Sequence, residues 1–176
     1  MRRLLPIILL VLATVCLSGC RDVETRRALR RMMGSTIVLP EKITCVQNGE
    51  VFQMPEELRE KSKLFVFIDS SECSMCNVSR LSRYQVVYDI SKATESFEMF
   101  FLLSIKKSRV SSIVEELVYM ELPCPVYIDE DNLFHTMNPL ITNDSRFHTF
   151  LCVDGIVKLI GDPTINPNLL SFLTLL

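Results

Sequence analysis

Leu64-Phe65-Val66-Phe67-Ile68 is a run of five apolar residues that passes through Asp69-Ser70-Ser71-Glu72 into Cys73-Ser74-Met75-Cys76. A continuous apolar run of strand length leaves no face for water, so it suits a sheet covered on both sides. The polar residues after it are suited to capping a helix. Val78, Leu81, Tyr84 or Gln85, and Tyr88 then recur at the three-to-four spacing of an apolar helix face. The segment therefore reads as a buried strand feeding a helix that opens on two cysteines.

The rest of the chain supplies partners for that strand. Phe97 to Ile105 reads as a second buried strand, Val110 to Met120 as an amphipathic helix, and Pro125 to Ile128 as a short strand. A polar turn follows at Asp129 to Asn132, then a short helix near Leu133 to Met137. Asn48-Gly49 and Asp154-Gly155 are hairpin signals, the second joining Phe147–Val153 to Ile156–Ile160. Asn168 to Leu176 reads as a closing helix. Parallel crossovers followed by an antiparallel hairpin call for an α/β fold, a mixed central sheet with helices on both faces. With 176 residues the chain suffices for one ordinary domain.

The start of the chain is of another kind. Arg2 and Arg3 precede Leu4 to Leu17, which is apolar apart from Thr14, and Leu17-Ser18-Gly19-Cys20 ends it. A basic stretch followed by an apolar run too short to span a bilayer is the pattern of a secretory signal. The terminal tetrapeptide resembles the lipobox of bacterial lipoproteins, which implies cleavage before Cys20 and lipidation of its thiol. Three regions follow: a signal peptide over 1–19, a tether and N-terminal helix over 20–43, and the domain over 44–176. Arg21 to Met33 reads as a short helix on which Arg26, Arg27, Arg30 and Arg31 cluster. It suits either a position near anionic lipid headgroups or a solvated tether.

With 19 basic and 21 acidic residues the net charge is −2, and the loss of Arg2 and Arg3 with the signal takes it to −4. Phosphate binding needs a basic face, so nucleic acid is excluded as a partner. Of seven cysteines, Cys16 leaves with the signal and Cys20 takes the lipid, which leaves an odd five. Cys124 and Cys152 lie in apolar strand-like segments and read as small core residues; Cys45 has no assigned role.

Cys73 and Cys76 carry the chemistry. A helix start favours a thiolate through its unpaired N–H groups and aligned peptide dipoles. A second thiol three residues on lies one turn below, within reach of a mixed disulfide at the first. A Cys-x-x-Cys that follows a buried strand and opens a helix is a far stronger signal than the motif alone.

At these residues the chain resembles the thioredoxin-like superfamily, in particular its TlpA-like and AhpC-TSA (redoxin) type. The resemblance rests on Leu64–Ile68 before Cys73-Ser74-Met75-Cys76, then Cys124-Pro125-Val126-Tyr127-Ile128-Asp129, His148 to Gly155, and Leu159-Ile160-Gly161. It covers roughly Phe52 to Leu176. It implies a thioredoxin-like fold and thiol–disulfide exchange without a cofactor, with Cys73 the nucleophile and Cys76 the resolving thiol. Protein thiols or disulfides of the cell envelope are the implied partners. Arg21 directly after the lipidated cysteine resembles the outer-membrane sorting pattern of some bacteria, which implies an anchor in the outer membrane, facing the periplasm.

Three residues depart from the family pattern. Glu72 stands where an aromatic residue usually precedes the first cysteine, and a carboxylate there disfavours the thiolate. Ser74-Met75 lacks the frequent proline. His148, before Thr149, stands where the family has a cis-proline facing the thiols. His148 has three readings: a packed structural histidine, a base that tunes Cys73, or the third ligand of a copper or zinc site with Cys73 and Cys76. The last resembles Sco-type copper chaperones, whose cysteines are however spaced C-x-x-x-C. A non-catalytic binding domain is the remaining alternative. His135, in the short helix, reads as a surface residue with no evident partner.

Overall fold

The computed structural model describes residues 23–70, 81–120 and 124–176. Its centre is the apolar run already singled out. β3 (Lys63–Ile68) is buried at every position. It pairs in parallel with β4 (Glu98–Ser104), which pairs in parallel with β5 (Val126–Asp129). On its other side β3 pairs antiparallel with β6 (Thr149–Val153), which turns into β7 (Ile156–Ile160). The far edge is a hairpin of β1 (Thr44–Gln47) and β2 (Glu50–Gln53), with β1 antiparallel to β5. The result is a mixed sheet of seven strands in the order β2-β1-β5-β4-β3-β6-β7.

Alternation along the strands sends side chains to two separate cores. Leu64, Val66 and Ile68 face one side with Met99, Phe101 and Leu103. That side is covered by Val87 of α2 (Gln85–Thr94), Ile113 and Leu117 of α3 (Val110–Tyr119), and Leu173 of α5 (Pro167–Leu173). Phe65, Phe67, Phe100 and Leu102 face the other side. There they meet Met32 of α1 (residues 23–32) and Phe134 of α4 (Phe134–Met137). The phenylalanines of this second core pack ring on ring, Phe65 lying 5.0 Å from both Phe100 and Phe150 and 5.8 Å from Phe134.

Both hairpin signals form as expected. Asn48 and Gly49 have φ of 52° and 79°, Asp154 and Gly155 φ of 52° and 72°, the left-handed pairs that match the twist of the joined strands. The closing helix is shorter than its sequence suggested. Asn166 caps it by accepting from the Asn168 N–H, Pro167 occupies its first turn, and Leu175 beyond its end is exposed.

The polar turn at Asp129 turns out to be an interior device. Asp129 is completely buried. Its carboxylate accepts from Ser104 Oγ at 2.9 Å and from the Leu133 and Phe134 N–H groups at 3.1 and 2.8 Å. Those two amides open α4, so the carboxylate satisfies donors that the short helix leaves unpaired.

The chain between α1 and β1 is bound to the sheet. Gly34 N–H donates to the Val157 carbonyl, Val157 N–H to Ser35, and Ile37 N–H to Gly155. The Asn138 side chain clasps both the N–H and the carbonyl of Val38 at 2.8 Å.

Candidate functional site

Glu72, Cys73 and Cys76, like Cys20 and the signal segment, lie outside the described residues. The described residues on either side of the cysteine pair meet at one place. The carboxyl end of β3, Val66 to Ile68, lines a cleft of about 600 Å³ together with Leu81 and Tyr84. His148 just before β6, Thr149 at its start, and Gly161 and Asp162 just beyond β7 also line it. In open α/β sheets, ligands sit outside the carboxyl ends of the strands.

Gly161 lets β7 leave the sheet here. Its φ is +140°, and a Cβ on it would come within 2.7 Å of Leu169 Cδ1. The loop that follows closes one side of the cleft with Thr164 and Ile165.

The cleft floor holds a small polar group in an apolar frame. Tyr84 and Thr149 are both buried, with Tyr84 Oη 3.2 Å from Thr149 Oγ1. Burial holds the Tyr84 phenol above its ordinary pKa, with Asp162 adding to the shift, so the ring keeps its proton. Tyr84 read from sequence as part of a helix face, and Asp162 carried no signal at all. They meet because the 3-10 turn at Leu81–Tyr84 and the loop after Gly161 converge, an encounter no local pattern encodes.

His148 is buried, and its backbone carbonyl accepts from the Phe67 N–H at 2.9 Å. Its Nε2 lies 2.8 Å from the Thr142 carbonyl oxygen. A carbonyl only accepts, so Nε2 carries a proton, and in the neutral ring Nδ1 carries the lone pair. The Phe67 ring lies 5.0 Å from the imidazole. Thr149 sits beside it, as the order His148-Thr149 required.

His135 corrects its sequence reading. It has a partner: its Nδ1 lies 3.0 Å from Asp69 Oδ2, the carboxylate directly after β3. Its ring is also edge-on to Phe67, 6.1 Å away. Both histidines of the chain therefore pack against the same phenylalanine at the strand end that leads toward Cys73.

The three remaining thiols stand apart. Cys45, Cys124 and Cys152 are free and buried. Burial pushes each up to about 12 from an ordinary value near 9.0, Lys63 drawing Cys152 slightly back. None of them is a working nucleophile at neutral pH. They are expected to resist alkylation in the native protein and to react once it unfolds, as intact mass measured with and without denaturant reads directly. The sign of the accompanying pH effect is fixed. Below pH 9 the thiols are protonated in both states; above it only the unfolded state releases its protons. Stability should therefore fall as pH rises from 9 toward 12, by roughly 1.4 kcal/mol per pH unit for each thiol. Denaturant midpoints at pH 8 and 10 test it.

No family model and no curated protein matches the sequence. Solved structures do match the fold. The crystal structure of AhpC from Enterococcus faecalis superposes over 81% of this chain and 90% of its own, with 13% identity and a TM-score of 0.54. A solution structure of a thiol:disulfide interchange protein from Bacteroides sp. covers 80% of this chain and 90% of its own at 16% identity, TM-score 0.47. The thioredoxin domain of a thiol-disulfide oxidoreductase from Bacteroides vulgatus covers 79% and 98% at 14% identity, TM-score 0.43. With the sheet order and helix placement above, the likeness to the first establishes the architecture: this chain has a thioredoxin-like fold.

Proposed function

We propose that this protein is a thiol–disulfide oxidoreductase of the bacterial cell envelope, lipid-anchored through Cys20 and acting through Cys73 and Cys76. The observation that carries the proposal is the cleft at the carboxyl end of β3. The residues that bracket the cysteine pair in sequence, Ile68 and Leu81, line it together with His148 and Thr149.

The chemistry is exchange between sulfurs. The Cys73 thiolate attacks one sulfur of a substrate disulfide, and the other sulfur leaves as a thiolate and takes up a proton. The Cys76 thiolate then attacks Cys73 in the mixed disulfide and releases the second substrate thiol. The substrate disulfide is reduced and the pair is oxidised to Cys73–Cys76. The same steps reversed oxidise a dithiol, and the reduction potential of the pair sets the direction. Peptide mapping after equilibration in glutathione buffers tests the proposal and gives that potential. A Cys73–Cys76 disulfide that titrates as one two-electron couple supports it; two cysteines that never link overturn it.

His148 is the base in this scheme. His148→Ala is expected to slow alkylation of Cys73 about ten-fold at pH 7. The gap should close above pH 8.5, where an ordinary thiol ionises unaided. A constant gap at all pH values would mean that His148 only packs.

The place of His148 in the lining of the cleft also favours a second reading. One imidazole joined to two thiolates is a donor set that suits Cu(I). Stoichiometric copper uptake that the His148→Ala protein loses would support this reading over exchange chemistry, and equal uptake by both proteins would remove it.

A further inference from the structure

Helix α1 presents a basic face that the fold leaves uncovered. Arg26, Arg27, Arg30 and Arg31 are all exposed, and none forms an ion pair among the described residues. At about 100° per residue the four occupy roughly 140° of arc. Val23, 58% exposed, falls within that arc. Met32, fully buried, lies on the opposite side with Thr25, Ala28 and Leu29 half-buried around it. Glu24, at the edge of the arc, is the single carboxylate of residues 23–32.

This arrangement is built. A solvated tether has no reason to sort its residues, yet here every arginine points away from the domain while the helix is held on it by Met32. The next turn is fixed as well, through the Gly34 and Ser35 hydrogen bonds to Val157. The face also stands out against a chain of net charge −2.

We propose that the arginine face of α1 lies on an anionic lipid bilayer and sets the orientation of the domain above it. Guanidinium groups bind phosphate in a paired fork, and an exposed valine among them adds shallow apolar contact. Cys20, the lipid anchor of the proposed function, stands a few residues before the helix, and on that reading it brings the chain to a membrane at this end. The proposal stands on the charge and packing of α1 and is independent of the thiol chemistry above.

The test measures partition of the full chain between pure phosphatidylcholine vesicles and vesicles that contain phosphatidylglycerol. The N-terminal anchor favours both alike, so the ratio isolates the charge effect. Each arginine near an anionic surface contributes about a five-fold preference, so the set should give about a hundred-fold or more at low salt. High salt should erase most of it. R26Q/R27Q/R30Q/R31Q should bring the ratio close to one, while the corresponding four lysine substitutions keep most of it. K106Q/K107Q/R109Q, which removes another exposed basic cluster, should leave it unchanged. Equal partition of the wild type, an undiminished ratio in the four-glutamine protein, loss in the Lys106 set, or capture of duplex DNA in place of vesicles would each overturn the proposal.

Discussion

Cys73→Ser is expected to lower reduction of a small aromatic disulfide by roughly a thousand-fold or more, because the attacking sulfur itself is gone. Cys76→Ser should behave differently. Its first step survives, so the protein should accumulate as a stable mixed disulfide with substrate, visible as an adduct by intact mass. The asymmetry is the informative part. If the two thiols only braced the fold, both variants would lose stability and neither would trap substrate. If they only bound metal, neither would form the adduct. A Cys73→Ser protein that turns over at the wild-type rate removes exchange chemistry at this pair altogether. The three buried thiols cannot compensate, since burial holds each of them protonated at working pH.

What the sequence revealed and what it hid divide along one physical line. Features set by neighbours in the chain were legible. The run Leu64–Ile68 had no polar alternation and lies in a strand buried on both faces. Asn48-Gly49 and Asp154-Gly155 form turns because their own backbones tolerate positive φ. Cys124 and Cys152 sat in apolar segments and are core residues. Features set by distant pairs were not legible. Asp69 and His135 are 66 residues apart, Tyr84 and Thr149 are 65 apart, and nothing around any of them announces the contact. Asp129 looked like turn chemistry because a buried carboxylate and an exposed one are the same letter; only its three donors distinguish them. The basic helix shows both cases. Its charge was plain from sequence, but the side it turns to the protein depended on Met32 finding a core.

Phe65→Ala should cost about 3–5 kcal/mol of folding stability, the range for removing a fully buried aromatic side chain. The position explains why the upper part of that range applies. Phe65 is 2% exposed at the centre of β3, and Phe100, Phe134 and Phe150 all pack on its ring, Phe150 at a shallow 15°. Those three rings belong to β4, α4 and β6, so one side chain joins three elements. They cannot close over the void without moving strands whose backbones are already paired on both sides of β3. A domain of this size has roughly 5–15 kcal/mol in total, so the variant should be marginal at room temperature. Phe52→Ala on the exposed edge strand β2 provides the contrast, and its urea midpoint should barely move. The consequence reaches the cleft. Phe67 lies two residues along the same face of β3, in ring contact with both His148 and His135. Loosening the phenylalanine core should therefore weaken His148-assisted reactivity at temperatures where the fold still holds. Parallel urea melts and thiol-reactivity measurements on the Phe65→Ala protein check both effects, and a cost below about 1.5 kcal/mol would mean that this face is not the structural support of the site.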